Sequence, residues 1–437
     1  MWSMHKGDKM SKTNYQIQGR DFLINGKKTY SEIPQNDPAC HGLLFNARFI
    51  QGLFQDVNKA NAEHYNRFGK VFDPEINTDE LIAALPQWYN IGLRAFTIGL
   101  MGGGPCMSYK DWGTLKFGSF SPDGRSFDPA VRTRLEKVLK AADELGMLVI
   151  VSFLYHGQFR YFDNDEAIEN ACHTAVKMLC ELDYDNVIIE VANEYDVIEK
   201  VVPTSVIGTP EKMAELVKKC QQWCGGRFAV GASTCFVEER QEIVMKASDI
   251  CLFHGNDKRR QELHNKYMLV RGWCPDRPIV VNEDSQIFTQ MDVAMEDHFS
   301  WGYYNNWTKQ EPPCDWGITD SEDVHFAARV AQAVGLPFWA EDPAPKLLGF
   351  EPCSGLKNGE RFIRVTSARP DKICKVVFYE DGRKLDAAFA EPFFLYPLST
   401  WHQAAYLPTP GAQKFTARVV MYDGSEILLE QDLTDLR

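Results

Sequence analysis

Two glutamates stand where apolar, strand-like sequence gives way to polar sequence. Glu194 follows the run NVIIEVAN, and Glu283 follows the run RPIVVN. A carboxylate at the carboxyl end of a strand is a typical position for a catalytic group in a parallel α/β barrel. A pair of carboxylates facing one bond is what most glycosidases use to cleave a glycosidic linkage. The pair therefore predicts nucleophilic and acid–base chemistry, whereas a salt bridge to a loop arginine is the alternative for either glutamate alone.

Strand-like and helix-like patterns alternate through most of the chain, and this alternation must position the two glutamates. The strand candidates are residues 43–49, 93–100, 148–155, 186–192, 228–233, 250–254, 278–282 and 300–305. The helical candidates are residues 78–90, 129–145, 165–182, 210–224, 237–247, 259–270, 290–299 and 321–334. Eight strands, each followed by a helix, predict an α/β fold of the (β/α)8 TIM-barrel type. A doubly wound open sheet is the alternative, but it needs a topological switch that the pattern does not show.

On this barrel Glu194 closes the fourth strand and Glu283 closes the seventh. Because the strands are parallel, both side chains project from the carboxyl end of the barrel, where they can converge on one bond. A separation of about 5–5.5 Å between the carboxyl groups would suit a retaining glycosidase, and about 6.5–9.5 Å an inverting one.

The pattern divides the chain into three parts. Residues 1–41 form an N-terminal segment with a short strand pair, and residues 42–340 form the barrel. Residues 345–437 show short alternating runs separated by turns such as Asp381-Gly382, with no helical period. This pattern predicts a small C-terminal antiparallel β-sandwich. The sandwich could bind carbohydrate, dock against the barrel's flank or mediate assembly.

Composition narrows the partners of this 437-residue chain. Its formal net charge of −13 argues against nucleic acid or an anionic membrane surface as the main partner. The N-terminal sequence is polar and no stretch has the apolar length of a membrane span, so we expect a cytoplasmic protein. The twelve cysteines lack the spacing of a zinc site and are predicted to be reduced. We expect no metal and no organic cofactor.

The strand contexts IEVANEYD and PIVVNEDS resemble those of glycoside hydrolase clan A, the cellulase-like (β/α)8 retaining glycosidases. The resemblance covers residues 42–340. In that clan an Asn-Glu pair ends the fourth strand, and a second glutamate ends the seventh. The resemblance therefore implies Glu194 as the acid/base, Glu283 as the nucleophile and Asn193 as the amide that binds the sugar 2-hydroxyl.

Two strand ends depart from the pattern of that clan. The clan often has a His-x-Tyr motif after the sixth strand, with the tyrosine touching the nucleophile, and here the sequence is His254-Gly255-Asn256. The clan also often has an arginine at the end of the second strand, where this chain has Thr97. Arg48, at the end of the first strand, supplies that charge instead or forms a purely structural ion pair. Arg48, His254 and Asn256 are all predicted to lie in the substrate-binding site.

Three further residues are candidates for the same site. His156, at the end of the third strand, could hold a sugar hydroxyl, or it is an ordinary loop histidine. Trp301 and Tyr303 belong to an aromatic group around the eighth strand. Sugars present apolar C–H faces that stack on aromatic rings, so this group suits a carbohydrate cleft. Packing in the core is the alternative for each ring.

The sequence thus predicts a retaining O-glycoside hydrolase that cleaves a glycoside or oligosaccharide by double displacement. A transglycosylase would use the same two glutamates and differ only in its acceptor. A non-catalytic carbohydrate-binding barrel is the alternative from another class of protein. The altered strand ends favour that alternative, and the intact pair of glutamates argues against it.

Overall fold

A computed structural model describes residues 11–67, 70–103, 114–197, 206–338, 344–350 and 359–434. Within these residues, eight parallel strands form the central sheet: β1 (Asn46–Arg48), β2 (Ala95–Gly99), β3 (Leu148–Leu154), β4 (Val187–Ala192), β5 (Ala229–Gly231 and Ser233–Thr234), β6 (Cys251–His254), β7 (Ile279–Glu283) and β8 (Ser300–Tyr303). The first part of β5 pairs with β4, and its second part pairs with β6. β1 pairs with β2 on one side and with β8 on the other. The sheet therefore closes into a barrel, which confirms the predicted (β/α)8 fold.

Helices surround the barrel, and eight α-helices lie within the described ranges: α1 (Pro74–Asn90), α2 (Pro129–Leu145), α3 (Asp165–Leu182), α4 (Pro210–Trp223), α5 (Glu242–Ala247), α6 (Arg260–Trp273), α7 (Gln290–Asp297) and α8 (Ser321–Val334). The sequence pattern placed the start of α1 at residue 78, whereas the helix begins at Pro74. The reason is that Asp73 caps the helix by accepting backbone N–H bonds, and proline is well suited to the first helical position. None of the helices in the described ranges has both the length and the apolar character needed to cross a membrane.

Side chains on each strand alternate between the barrel interior and the layer under the helices. On β4, for example, Ile188 belongs to the interior cluster, whereas Ile189 and Val191 belong to the layer under the helices. This alternation follows from the two-residue period of a strand. It decides which residues at the carboxyl end of each strand can face a ligand.

Three short antiparallel strands close the amino end of the barrel: Tyr15–Gln18, Asp21–Ile24 and Lys27–Lys28. Asn25 and Gly26 form the turn between the last two, with φ angles of 50° and 80°, the left-handed conformations that a tight hairpin turn requires. The fully buried ring of Phe22 packs into the apolar interior cluster. The hydroxyl of Tyr15 donates a hydrogen bond to the carbonyl of Val187 at 3.0 Å. The amino end is therefore filled with apolar side chains.

In the described part of the chain after residue 345, seven strands form two antiparallel sheets: β9 (Lys346–Leu348), β10 (Arg364–Thr366), β11 (Ile373–Glu380), β12 (Arg383–Ala388), β13 (Phe393–Phe394), β14 (Lys414–Met421) and β15 (Glu426–Asp432). One sheet has the order β9-β10-β13, and the other has the order β12-β11-β14-β15. Val365 and Phe393 of the first sheet share a core with Val376 and Phe415 of the second. This is the predicted small β-sandwich. Its two shortest strands, β9 and β13, have three and two residues, which is too few to show an alternation in the sequence.

Buried polar contacts tie the sandwich to the barrel. Arg364 Nε lies 2.6 Å from Glu322 Oε2, and both side chains are almost fully buried. Glu391 accepts hydrogen bonds from the backbone N–H groups of Phe288 at 2.9 Å and Thr289 at 3.3 Å, just before α7. Burial raises the pKa of Glu391 to about 7, against the lowering effect of these donors. The sandwich therefore packs against loops that follow the strands of the barrel.

Candidate active site

Glu194 lies just beyond β4 at the carboxyl end of the barrel. Its φ angle is 47°, a left-handed conformation that costs a non-glycine residue roughly 1–2 kcal/mol. Its backbone N–H donates a hydrogen bond to Ser233 Oγ of β5 at 3.0 Å, and its carbonyl accepts one from the N–H of Val197 at 2.9 Å. These bonds hold the turn. The side chain is 15% exposed, so it faces an opening.

Glu283 is the last residue of β7, and its side chain is 11% exposed. Its Oε2 lies 2.6 Å from Nε of Arg48, the last residue of β1. Its Oε1 accepts a hydrogen bond from Nδ2 of Asn256 at 2.6 Å. The ion pair with Arg48 and the hydrogen bond from Asn256 thus stabilise a negative charge on this carboxylate.

His254, at the end of β6, joins the two carboxylates. Its Nδ1 lies 2.8 Å from Oε1 of Glu194 and 3.5 Å from Oε2 of Glu283. Burial alone would lower the pKa of His254, but the charges of Glu283 and Glu194 outweigh it and raise that pKa above its ordinary value. One oxygen of each glutamate and the imidazole nitrogen all lie within 4.8 Å of one another. The two glutamates therefore share one small site.

The same three side chains are of types that bind metal ions, and they form the one such cluster among the described residues. However, Oε2 of Glu283, the oxygen closest to His254, is also the oxygen that pairs with Arg48 at 2.6 Å. A fixed positive charge at that distance opposes a cation on the same oxygen. The cluster is therefore better suited to proton transfer and nucleophilic attack than to a metal.

Arg48 contacts both Glu283, the nucleophile candidate, and Asn193, the residue that follows β4. The side chain is 1% exposed, and its Nη2 donates a hydrogen bond to Oδ1 of Asn193 at 2.6 Å. Burial lowers the pKa of Arg48, but Glu283 and nearby acidic groups raise it by more, so the guanidinium stays charged. Because Oδ1 of Asn193 is occupied, the group that Asn193 can offer to a ligand is its amide N–H.

Six of the predicted site residues therefore come together at the carboxyl end of the barrel: Arg48, Asn193, Glu194, His254, Asn256 and Glu283. The departure at Asn256 does not remove the contact with the carboxylate of Glu283, since the asparagine makes that contact itself. His156 begins a short 3-10 helix, His156–Tyr161, and its side chain lies outside the part of the structure that is described.

Trp301 and Tyr303 do not belong to the site, which corrects the expectation from the sequence. Between them, Gly302 faces the barrel interior, where a Cβ atom would meet the side chain of Asn46. Trp301 and Tyr303 therefore point outward under the helices, with exposures of 0% and 1%. The Trp301 indole donates a hydrogen bond to Asp284 at 2.7 Å. Both rings pack in the core, the alternative that the sequence left open.

Sequence reasoning missed a third carboxylate, that of Glu190 on β4. It is fully buried inside the barrel, and its Oε1 accepts a hydrogen bond from Nδ2 of Asn282 at 2.9 Å. Its Oε2 has no hydrogen-bond partner among the described residues. Its charge also helps to raise the pKa of Arg48. The sequence did contain a signal for Glu190, because it is a charged residue within an apolar strand. It also stands four positions before Glu194, so the two-residue period of a strand puts both on the same face.

The carboxyl group of Asp284 packs against Gly255 in the loop that follows β6. The side chain is fully buried, and burial raises its pKa to about 7 against the lowering effect of the Trp301 indole. Its carboxyl group lies so close to Gly255 that a Cβ atom there would be 2.3 Å from it. Glycine is therefore required between His254 and Asn256, the two residues that contact the carboxylate pair.

Comparisons with known proteins give likenesses to solved structures only. No family model matches the sequence, and no curated protein matches it. A glycosyl hydrolase family 2 member from Bacteroides cellulosilyticus has a TM-score of 0.45 and 14% identity, over 95% of this chain and 48% of that one. An endo-1,4-beta-mannanase from Rhizomucor miehei has a TM-score of 0.46 and 10% identity, over 74% of this chain and 99% of that one. A glycoside hydrolase family 5 mannosidase from the same organism has a TM-score of 0.46 and 11% identity, over 76% and 99%.

This chain spans about half the length of the first structures that it matches. All of these matches have low identity, so the activity of this chain is inferred from its own side chains. Arg48 and Asn256 hold the carboxylate of Glu283. The carboxylate of Glu194 lies beside the imidazole of His254. Such a pair can attack one side of a bond and protonate the other.

Proposed function

We propose that this protein is a retaining O-glycoside hydrolase that works by double displacement. Glu283 attacks the anomeric carbon while Glu194 protonates the departing oxygen, and a glycosyl-enzyme intermediate forms on Glu283. Glu194 then removes a proton from the water molecule that releases the sugar. The observation that carries this proposal is the approach of two carboxylates within 4.8 Å, from the ends of β4 and β7.

The distance between the carboxylates supports retention over inversion. An inverting enzyme separates its carboxyl groups by about 6.5–9.5 Å to admit a water molecule, whereas a retaining enzyme separates them by about 5–5.5 Å. The nearest oxygen atoms of Glu194 and Glu283 lie within 4.8 Å of each other. This gap favours direct attack by a carboxylate.

The partners of each carboxylate support the division of roles. A nucleophile must be ionised, and the ion pair with Arg48 and the amide of Asn256 stabilise that form of Glu283. An acid/base must exchange a proton, and Oε1 of Glu194 lies 2.8 Å from the imidazole of His254, which itself titrates. Asn193, held by Arg48, offers its amide to a sugar hydroxyl.

The Asn193-Glu194 pair after β4 and Glu283 at the end of β7 also support membership of glycoside hydrolase clan A. A glycoside or short oligosaccharide is the proposed substrate, with no organic cofactor. The location in the cytoplasm stays a prediction.

A panel of aryl glycosides of both anomeric configurations tests the proposal. We expect turnover of at least one of them, and the first-formed sugar should have the anomeric configuration of the substrate by proton NMR. Inversion of that configuration would refute double displacement. Binding of sugars with no turnover of any glycoside would instead favour the non-catalytic barrel, and sugar-transfer products that dominate over hydrolysis would favour a transglycosylase.

A further inference from the structure

The β-sandwich reaches the active-site face of the barrel through residues 399–402, which join β13 to β14. This segment touches the loops that follow β6, β7 and β8. The loop after β6 also carries Asn256, which donates a hydrogen bond to Glu283. The sandwich packs against α8 on the flank of the barrel, where Arg364 contacts Glu322. Through residues 399–402 it also reaches the end of the barrel that carries the carboxylate pair.

The contacts are most numerous at Asp257, the residue after Asn256. The backbone N–H of Asp257 donates to Oγ1 of Thr400 at 2.9 Å, and the N–H of Thr400 donates back to Oδ1 of Asp257 at 3.3 Å. The indole N–H of Trp401 donates to Oδ2 of Asp257 at 3.2 Å. Asp257 has a left-handed φ of 59°, and these three bonds hold it there. The sandwich thus fixes the loop from which Asn256 reaches Glu283.

The same segment also meets the loops after β7 and β8. Oγ of Ser285, two residues after Glu283, donates to Oγ1 of Thr400 at 3.1 Å in a buried contact. Nδ2 of Asn306, in the loop after β8, approaches the carbonyl of Trp401 at 3.5 Å. Trp401 therefore lies above the rim formed by three adjacent strand ends, on the side of the barrel that carries Glu283.

The ring of Trp401 is partly exposed, and it is tilted by 35° against the ring of His402, with a centroid distance of 3.3 Å. Burial lowers the pKa of His402, so its ring is neutral near pH 7. The hydrogen bond to Asp257 fixes the indole nitrogen of Trp401, so the ring has a defined orientation. Aromatic rings fixed in this way by one polar atom suit the apolar C–H faces of sugars.

We propose that Trp401 of the sandwich binds a sugar ring of the substrate, namely the ring next to the one that carries the scissile anomeric carbon. This proposal rests on the proposed glycosidase function. The position follows from the order of contacts, because Asn256 and Asp257 stand between Trp401 and the carboxylate of Glu283. We therefore assign Trp401 to the neighbouring sugar unit and not to the unit at the carboxylates.

The test compares two substrates of the active sugar, an aryl monosaccharide glycoside and an oligosaccharide of three or more units. For Trp401→Ala we expect kcat/KM to fall about tenfold on the oligosaccharide, mainly through KM. On the monosaccharide glycoside we expect a fall of about twofold or less, because the two bonds between Asp257 and Thr400 still hold the loop. Trp401→Phe should recover most of the loss because it keeps an aromatic face. Trp223→Ala is the matched control, since Trp223 also contacts a histidine, His173, but lies on α4 outside the barrel.

Equal kcat/KM for wild type and Trp401→Ala on the oligosaccharide would overturn the subsite. An equal loss on both substrates would overturn it too, because Trp401 would then act only by holding the Asp257 loop. If Trp401→Ala does not fold, Trp401→Phe and Trp401→Leu are compared instead, each by its kcat/KM on the oligosaccharide divided by its kcat/KM on the monosaccharide glycoside. An equal quotient in the two variants excludes stacking. Absence of wild-type turnover on both substrates would instead refute the glycosidase on which the subsite depends.

Discussion

At the amino end of the barrel, the ring of Phe22 is fully buried and packs with aliphatic side chains such as Leu44 and Ile188. At the carboxyl end, Arg48 lies 2.6 Å from Glu283, and His254 lies 2.8 Å from Glu194. Apolar burial stabilises a fold without directional demands, whereas each buried charge must be matched by a partner. The comparison teaches that stability and chemistry occupy opposite ends of one barrel. Substitutions at one end should therefore change one property and spare the other.

The largest effect is expected from removing a charge of the catalytic pair. Glu283→Gln should lower kcat by about 10⁴-fold or more, because an amide cannot act as the nucleophile. Glu194→Gln should lower it by about 10²–10⁴-fold on substrates with poor leaving groups, and by less on activated aryl glycosides, which need no proton. Both are measured by steady-state kinetics. Thermal unfolding serves as the control, and a large loss of stability in either variant would break the comparison.

The next largest effect belongs to the amino end. Phe22→Ala should lower the free energy of unfolding by about 3–5 kcal/mol, because it leaves a cavity in a filled interior. Denaturant unfolding followed by tryptophan fluorescence measures this change. Phe389→Ala, at a ring that is 70% exposed, is the control and should have little effect. A fall in kcat/KM of folded Phe22→Ala would contradict the separation of the two ends.

Glu190→Gln sharpens the comparison, since Glu190 lies inside the barrel just below the carboxylate pair. The amide keeps the shape but removes the charge that supports Arg48. We expect kcat to fall about tenfold, with KM nearly unchanged, because Arg48 then holds Glu283 less firmly. Glu144→Gln, on the surface of α2, is the matched control. An unchanged kcat in Glu190→Gln would show that Glu190 has a structural role only, like the apolar residues at the amino end.

The last expected effect concerns how stability depends on pH. The folded pKa of Asp284 is raised to about 7 by burial, whereas an unfolded aspartate titrates near 3.9. The folded state therefore binds more protons between these values, and this group lowers stability as pH rises from about 4 to 7. Asp284→Asn should remove that part of the slope, measured by unfolding at several pH values. Phe22→Ala should lower the free energy of unfolding by the same amount at each pH. A loss that depends on pH in this variant would contradict the difference between the two ends of the barrel.

The fold could be predicted from the sequence because its signals are local. Alternation of apolar strands with helical periods located all eight strands of the barrel, and helix ends such as Gly146 and Gly335 adopt the left-handed conformation that ends a helix. The start of α1 was placed four residues too late, at residue 78, because Asn77 has a capping side chain like that of Asp73, the residue that caps the helix. The shortest strands of the sandwich carry too few residues to show a pattern.

The candidate site could be predicted in part, because strand ends in a barrel converge in space. That rule brought Glu194, Glu283 and Arg48 together, but it could not say which way the side chains on β8 point. Trp301 was placed wrongly because only the inward direction of Gly302 fixes the parity of that strand. Trp401 could not be found at all, since a contact between sandwich and barrel leaves no trace in local sequence.

Labelling with an activated 2-deoxy-2-fluoro glycoside of the active sugar tests the central claim most directly. The fluorine slows hydrolysis of a covalent glycosyl-enzyme, so the intermediate can be digested and the labelled peptide located by mass spectrometry. The account predicts one label per chain, on the carboxylate of Glu283. A label on Glu194 or any other residue, or turnover of the parent glycoside with no covalent label, would contradict it.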